Sequence, residues 1–352
     1  MIPIRLKMQF ILQKALFALV LTLLTSQTFG QRKGIINEQV THFELKSNND
    51  TIDFIVFDTL LVDKKPILLF CQGSLPIPLY VEFKTEGILP IGGGISMFDL
   101  ETMKKHYHLV IISMPKTPII VNEVDIDASY SYTPNHLVDP PMFSDDYMKA
   151  DYLENYVNRA VFVLDFLRKQ PWVDLSKLVV AGHSQGSKIA ANLTSSYKHV
   201  THVGLFGANP NGRIDQLIRK TRQDAENGVI SWEEAEKQMS EYFQLYVNAC
   251  DKNQVKDDPS LIPWESFSKP QIETWLKIEA PIYLAYGTKD ITSDLCDLVQ
   301  LDFIREHKTN LTVKRYPNLE HSFFEVEENG QINYEKMHWP EVINEFINWT
   351  IQ

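Results

Sequence analysis

The sequence predicts an α/β protein with a mostly parallel central sheet, helices on both faces and a helical lid inserted between late core strands. Continuous apolar runs recur along the chain and end at small or turn-forming residues, as is typical of strands buried on both faces. Amphipathic segments separate these runs, and strands that alternate with helices form parallel βαβ units. Such sheets bind their ligands at the carboxyl ends of the strands.

The pattern begins with two alternating segments, "VTHFEL" and "TIDFIVF", which flank Asn48, Asn49 and Asp50 and predict an edge hairpin. The core strands are predicted at 66–73, 108–115, 177–184, 202–210, 281–287 and 311–317. Helices are predicted at 96–107, 146–170, 187–197, 293–307 and 339–351. The helix at 146–170 places Leu153, Val157 and Val161 on one face.

One segment, 211–279, has no strand pattern and is charged and mostly helical. It is too long for an ordinary connection between two core strands, so we expect it to form a lid or cap. A second irregular stretch covers 116–145. Aromatic side chains of the two segments either line an apolar pocket or pack internally: Trp232, Trp264, Phe267, Trp275, Tyr130 and Tyr132.

Composition narrows the class of protein. The 352 residues are 44% hydrophobic, which suits a globular chain with one large core or two smaller ones. The formal net charge of -11 argues against a surface that neutralises phosphates, so no nucleic-acid partner is expected.

The first 30 residues have the pattern of a secretory signal sequence. Arg5, Lys7 and Lys14 precede a short apolar run, and small or polar residues follow it up to Gly30. The run is well short of the roughly 20 residues that span a bilayer, so cleavage before Gln31 is favoured over an uncleaved membrane anchor. We expect an exported protein, periplasmic or secreted, without stable membrane insertion after cleavage.

The three cysteines are too few and too scattered for a disulfide framework. Cys71, Cys250 and Cys296 are predicted to be buried free thiols, and a disulfide between Cys250 and Cys296 is the alternative. No CxxC spacing supports a metal site, and no cofactor is expected.

The stretch "VVAGHSQGSKIA" joins a strand to a helix without a linker. A turn this tight strains its central residue and tolerates only small flanking residues, which here are Gly182 and Gly186. It exposes the Ser184 hydroxyl above the strand ends, next to the free amides of a helix N-terminus. The pattern is that of a nucleophile elbow, and a structural glycine turn is the alternative.

A serine hydroxyl needs a base to accept its proton, and a carboxylate to orient that base. Asp290 follows the predicted strand at 281–287, with Asp294 as the alternative, which we expect at the start of the next helix. His321 follows the last predicted strand, where Phe323 and its neighbour can anchor the loop. His183, inside the elbow, is expected to shape the pocket floor.

Acyl transfer also requires amides that stabilise an oxyanion. The backbone N–H of Gln185 is one predicted donor, because it follows the nucleophile. The second is predicted in the loop after "ILLFCQG", at Gly73 or Ser74.

From about residue 40 to 352 the chain resembles the α/β-hydrolase superfamily, on the motifs "GHSQG", "GTKD" and "LEHSFF". The last two resemble the branch of dienelactone hydrolases, secreted esterases and prolyl-oligopeptidase-like peptidases. The resemblance implies the α/β-hydrolase fold and Ser–His–Asp acyl transfer by Ser184, His321 and Asp290 without a cofactor. The residues Cys71-Gln72-Gly73 replace the His-Gly pair that is commoner in the oxyanion loop.

Three functions are compatible with these residues. The favoured one is a secreted serine hydrolase that cleaves a carboxylic ester, and the alternative is a peptidase of the prolyl-oligopeptidase-like type. A peptidase needs an anchor for a charged terminus, whereas Glu233 and Glu234 are expected at an exposed helix start. The third is a non-catalytic binding protein. The expected partner is a small-molecule or peptide acyl substrate.

Overall fold

A sheet of nine strands forms the centre of the part of the chain that the computed structural model describes, which is residues 30–47, 50–95, 98–134 and 143–352. Residues 1–29 of the predicted signal sequence lie outside this range, and Gly30 lies within it. The strands, including those of two small sheets, are β1 (Gly30–Ile36), β2 (Val40–Lys46), β3 (Thr51–Val56), β4 (Lys65–Cys71), β5 (Tyr80–Phe83), β6 (Gly87–Pro90), β7 (His108–Ile112), β8 (Ile120–Asn122), β9 (Val173–His183), β10 (His202–Phe206), β11 (Ile282–Gly287), β12 (Leu311–Tyr316), β13 (Phe324–Val326) and β14 (Ile332–Met337).

The central sheet has the order β1-β2-β3-β7-β4-β9-β10-β11-β12. The six strands from β7 to β12 in that order pair in parallel, and β1, β2 and β3 pair antiparallel at one side. Parallel strands point in the same direction, so their carboxyl ends lie on the same side of the sheet. This order therefore brings together the loops that follow β4, β9, β10, β11 and β12. The mostly parallel α/β fold predicted from the sequence is confirmed.

The hairpin predicted at residues 40–57 is present as β2 and β3, but its placement at the sheet edge was wrong. Strand β1 pairs outside β2 and forms the edge. Residues 31–35 of this strand are exposed without a break, so it lacks the alternation that marks a half-buried strand. It also begins at Gly30, where the signal sequence was expected to end.

The helices, numbered in chain order, are α1 (Leu100–His106), α2 (Asp145–Ala150), α3 (Leu153–Leu167), α4 (Gln185–Ser196), α5 (Arg213–Glu226), α6 (Trp232–Cys250), α7 (Lys252–Asp257), α8 (Ile262–Ser266), α9 (Ile272–Lys277), α10 (Val299–Arg305) and α11 (Trp339–Ile351). Among the described residues, no helix combines the length and the apolar character needed to cross a bilayer.

Two predicted helices are divided in the structure. The helix expected at 146–170 breaks between α2 and α3, where Tyr152 is extended. The buried carboxylate of Asp151 accepts a hydrogen bond from the Tyr156 hydroxyl there, at 2.8 Å. The Asn155 side-chain amide also donates to the Ala150 carbonyl at 2.7 Å, and a side chain that bonds to the local backbone competes with continuation of the helix. The helix expected at 293–307 divides into a 3-10 turn, Asp294–Asp297, and α10.

Two apolar clusters cover the two faces of the sheet. Alternate residues of a strand enter different clusters, as period-two geometry requires: Leu69 of β4 faces α3 and α4, and Leu68 faces α1 and α11. Each cluster removes many large side chains from water, which is the main favourable contribution to folding.

The helices α5 to α9 occupy the connection between β10 and β11, where the sequence predicted a lid. Their attachment to the core is uneven. Phe267 and Trp275 are buried in the cluster that includes α4, whereas most residues of α6 are exposed or half-buried. Glu233 and Glu234 are exposed in the first turn of α6, as expected, after the capping Ser231.

The cysteines differ from the prediction in one respect. All three are free, and Cys71 and Cys296 are buried, but Cys250 is exposed. It is the last residue of α6, which projects from the core, so the prediction that it is buried was wrong.

A largely buried ion pair fastens the hairpin turn to the helical layer. Arg159 of α3 is 3% exposed and pairs with the carboxylate of Asp50, while its other nitrogen donates to the Ser113 carbonyl at 3.1 Å. Lys116 also donates to Asp50, at 2.9 Å. Removal of the carboxylate leaves the Arg159 guanidinium desolvated and uncompensated.

We therefore expect Asp50→Asn to lower the free energy of unfolding by about 3 kcal/mol, because breaking a buried pair leaves a buried charge. Urea unfolding followed by circular dichroism measures this. The control is Asp302→Asn, whose carboxylate pairs with the exposed Arg305 and whose loss should change stability by less than about 1 kcal/mol. Equal effects of the two substitutions would show that the Arg159 pair has no special role.

Candidate active site

The turn between β9 and α4 holds Ser184 in a strained backbone conformation, with φ of 55° and ψ of −121°. Few residues other than glycine adopt such angles unless the surroundings impose them. Here the Ser184 amide donates to the Phe206 carbonyl at 2.9 Å, and the Ser187 hydroxyl donates to the Ser184 carbonyl at 2.6 Å.

Both glycines of the turn are required by close backbone contacts. A Cβ at Gly186 would lie 2.0 Å from the Cys71 carbonyl oxygen, and one at Gly182 would lie 2.1 Å from the Gly186 carbonyl oxygen. Contacts this short are impossible, so any side chain would displace the turn. The "GHSQG" stretch is thus a strand–turn–helix junction packed tightly against the end of β4.

His321 and Asp290 meet at the carboxyl ends of the parallel strands, on the same side of the sheet as Ser184. The His321 Nδ1 donates to the Asp290 Oδ2 at 2.8 Å, and Asp290 is 4% exposed. The carboxylate accepts two further bonds, from the Ser293 hydroxyl at 2.6 Å and from the Thr292 amide at 2.8 Å. This arrangement fixes the carboxylate and leaves the Nε2 of His321 for another partner.

The pair perturbs both ionisations. Burial alone would raise the pKa of Asp290, but the hydrogen bond and charge of His321 outweigh it and hold that pKa below its usual value. Burial alone would lower the pKa of His321, but the bond to Asp290 and the charges of Asp290 and Glu320 raise it above its usual value.

Asp294, the alternative acid, lies elsewhere. It is in the 3-10 turn that follows, where its half-exposed carboxylate pairs with Arg219 of α5. The structure therefore brings Asp290, and not Asp294, to His321.

The predicted oxyanion donors lie around Ser184. A Cβ at Gly73 would be 3.8 Å from the Ser184 Cβ, and Ser74 and Gln185 line the same cavity as Ser184. Gln185 begins α4, so its amide belongs to the first turn, which has no acceptor within the helix. The side chain of Gln72 fixes the start of the loop that contains Gly73. It donates to the Ile112 carbonyl at 3.0 Å and accepts from the Gly93 amide at 2.9 Å.

The cavity at Ser184 has a volume of about 80 Å³. Core loops and the helical insertion both contribute to its wall, which consists of Ser74, Ser184, Gln185, Lys188, Gly207, Asn209, Arg213, Gln216, Phe267 and Thr292. His321 borders it at Gly207, where a Cβ would lie 3.0 Å from the His321 Cε1. Among the described residues no hydrogen bond joins the Ser184 hydroxyl to His321, and such bonds are often long before substrate binds.

Comparisons with known proteins identify the fold. The model of the dienelactone hydrolase family matches residues 247–352, which include Asp290 and His321. The acylaminoacyl peptidase of Pyrococcus horikoshii, in its orthorhombic crystal form, aligns over 93% of this chain at 13% identity, with a TM-score of 0.52. Its uncomplexed form aligns over 93% of the chain at 15% identity, also with a TM-score of 0.52. The chain has the α/β-hydrolase fold.

This result confirms the superfamily and the fold predicted from the sequence. The α/β-hydrolase chain spans only 42% to 43% of the length of those peptidases. Acetyl xylan esterase 1 from Thermoanaerobacterium sp. JW/SL YS485 aligns over 84% of each chain at 12% identity, with a TM-score of 0.47. No curated protein matches the chain significantly. The partial match to the dienelactone hydrolase family supports a hydrolase.

Sequence reasoning missed the two basic residues of the cavity, Lys188 and Arg213. Each had a positional signal: Lys188 follows Ser184 by one helical turn, and Arg213 begins the first helix after β10. Of the aromatic candidates, Phe267 lines the cavity and Trp275 packs in the core, while Trp232 and Tyr130 are about half exposed. No group of three or more acidic, His or Cys side chains that could bind a metal occurs in the described ranges.

His183 connects the elbow to the loop that carries His321. Its Nε2 donates to the His321 carbonyl at 2.9 Å, and its ring packs edge-on against Trp339. Burial lowers the pKa of His183 to about 3, so the ring stays neutral. A Cβ at Gly207 would lie 3.0 Å from this Nε2, so glycine is needed there. One side chain thus sets the position of His321 relative to Ser184.

The raised pKa of His321 sets a pH dependence for any reaction in which it is the base. A base must be neutral to accept a proton, so kcat/KM should fall as the pH decreases, with a midpoint above about 6.5. Asp290→Asn should lower kcat about 10⁴-fold and shift the midpoint to lower pH, because the charge that favours the imidazolium is lost.

The matched control is Asp294→Asn, which removes the neighbouring carboxylate that does not contact His321. Ester hydrolysis measured between pH 5 and 9 distinguishes the two acids. A larger loss in Asp294→Asn than in Asp290→Asn would contradict the assignment.

The His183 contact predicts a loss of rate without a loss of binding. His183→Phe keeps a buried ring but removes the N–H donor, so kcat should fall about 10- to 100-fold with KM little changed, as expected when a catalytic group is misplaced. His183→Gln retains an N–H donor and should lose less. Thermal unfolding verifies that both variants fold, and equal losses in the two would mean that the hydrogen bond does not position His321.

Proposed function

We propose that this chain is an exported serine hydrolase that cleaves carboxylic esters with small acyl groups. The observation that carries the proposal is the Asp290–His321 hydrogen bond at the sheet edge where the strained turn presents Ser184. A buried carboxylate, an imidazole bonded to it and a half-buried serine on a tight turn are the parts of a nucleophilic acyl-transfer site. The basic and apolar pattern of residues 1–30 supports export.

The proposed reaction has two halves. The Ser184 Oγ attacks the ester carbonyl carbon while the His321 Nε2 takes the hydroxyl proton. The amides of Gln185 and of Gly73 or Ser74 stabilise the oxyanion. The C–O bond then breaks, and the alcohol leaves with the proton from His321. Water, deprotonated by His321, attacks the acyl group, which releases the acid and restores the Ser184 hydroxyl.

The size of the cavity favours small acyl groups. Its volume of about 80 Å³ is well below the roughly 300–1,000 Å³ of ordinary ligand pockets. A short acyl chain can be accommodated beside Ser184, whereas a long hydrocarbon chain would have to extend beyond the cavity.

The charge of the wall favours an ester over a peptide with a free amino terminus. A terminal ammonium needs a carboxylate partner, and none of the described lining residues is acidic, whereas Lys188 and Arg213 are basic. The peptidase alternative is therefore tested in parallel and is not preferred.

The decisive variant is Ser184→Ala. Hydrolysis of 4-nitrophenyl acetate should fall about 10⁴-fold or more, because no other group replaces the nucleophile. Labelling by a fluorophosphonate probe should disappear as well. Ser196→Ala is the control, since its hydroxyl lies exposed at the end of the same helix and bonds only to helix carbonyls.

An aminoacyl 4-nitroanilide and a dipeptidyl 4-nitroanilide should be cleaved much more slowly than the ester. Faster cleavage of either anilide would reverse the choice between ester and peptide. Undiminished turnover by Ser184→Ala would refute the proposed mechanism.

A further inference from the structure

Two basic side chains line the cavity beside Ser184, and no described carboxylate makes direct contact with either of them. Lys188 of α4 is 6% exposed, and its ammonium donates to the Phe267 carbonyl. Arg213, the first residue of α5, donates to the side-chain oxygen of Gln185. Within the described ranges, neither forms a salt bridge, although the whole chain carries a net charge of -11.

The nearby carboxylates are occupied by other groups. Asp151 lies beyond Gln185. Its carboxylate accepts from the Tyr156 hydroxyl and, at 3.4 Å, from the side-chain amide of Gln185. Asp215 accepts from Arg219 at 2.9 Å and from Asn209 at 3.3 Å.

The third nearby carboxylate, Asp294, also pairs with Arg219.

A guanidinium has five N–H donors, so Arg213 retains donors beyond the one that bonds to Gln185.

The guanidinium of Arg213 is also held in place. It lies 5.4 Å from the centre of the Trp264 ring and 5.3 Å from that of the Phe267 ring. Aromatic faces attract and orient a cation, but they do not compensate its charge as an anion does. The charges of Asp151 and Asp215 act on Arg213 and Lys188 without a salt bridge, and they offset only part of the unfavourable burial of these cations. Burial and the charge of Arg213 together lower the pKa of Lys188 to about 7. The site is therefore suited to receive a negative group.

We propose that Arg213, assisted by Lys188, binds a carboxylate of the substrate in the cavity beside Ser184, so that the preferred esters are short and negatively charged. The planar guanidinium matches a carboxylate with two parallel hydrogen bonds. The volume of about 80 Å³ restricts the group to a few carbon atoms, as in a half-ester of a short dicarboxylic acid. This inference rests on the proposed ester hydrolysis and specifies its substrate.

Matched pairs of esters test the proposal. Monomethyl glutarate carries the carboxylate on the acyl part, and methyl glutaramate is its neutral isostere. Acetylglycolate and acetylglycolamide form the same pair with the charge on the alcohol part. In one of the two pairs, wild-type kcat/KM should favour the charged ester at least about 10-fold, the range of a charged hydrogen bond.

Arg213→Gln should reduce that charged-to-neutral ratio about 10- to 100-fold, and Arg213→Lys should reduce it less, because it keeps the charge but loses the planar geometry. Lys188→Met should also reduce the ratio. The matched control is Arg222→Gln, an exposed residue of α5 that pairs with Glu226 and should leave the ratio unchanged. If Arg213→Gln fails to fold, Arg213→Lys and Lys188→Met decide the question.

Binding without turnover separates this proposal from the proposed function. Calorimetry with monomethyl glutarate and with acetylglycolate on Ser184→Ala should detect binding of the preferred ester that Arg213→Gln in the same background loses.

A wild-type enzyme with no preference between charged and neutral esters would overturn the carboxylate site, as would a preference that survives Arg213→Gln. If no ester is turned over, the hydrolase proposal fails, and the calorimetry alone decides whether the site binds the anion.

Discussion

The strained turn at Ser184 is the constraint on which the rest of the site depends. The turn forms only because Gly182 and Gly186 let α4 approach the end of β4, where even a methyl group would overlap the Cys71 carbonyl. The Phe206 carbonyl of the neighbouring strand holds the Ser184 amide. The sheet therefore supplies the free energy that maintains a backbone conformation the residue does not favour by itself.

Parallel topology then brings separate loops to this turn. The Gly73 loop follows β4, Asp290 follows β11 and His321 follows β12. The carboxyl ends of these three strands lie on the same side of the sheet. Side-chain bonds from Gln72, Ser293 and His183 fix these loops relative to one another. Because each of these bonds lies in a poorly solvated region, each positions its partner firmly.

The helical insertion determines what the turn can receive. It supplies Arg213 and Phe267 to a wall whose remaining residues come from the core, and it encloses a cavity of only about 80 Å³. Size and charge of the cavity are thus properties of the junction between the insertion and the core. The core supplies the residues of the proposed nucleophilic site, and in the proposed function the insertion selects the acyl group that fits.

The sequence by itself determined the parallel sheet, the placement of the insertion and the residues Ser184, Asp290 and His321 as candidates, because buried strands and tight turns leave local patterns. It did not reveal the exposed edge strand β1, the break at Asp151 or the exposure of Cys250, which have no periodic pattern. Only the tertiary structure decided that Asp290 meets His321, that His183 bonds to the His321 loop, and that Lys188 and Arg213 share one cavity. Those pairs lie 25 (213 − 188) to 138 positions apart, and local sequence does not encode the distance between such residues.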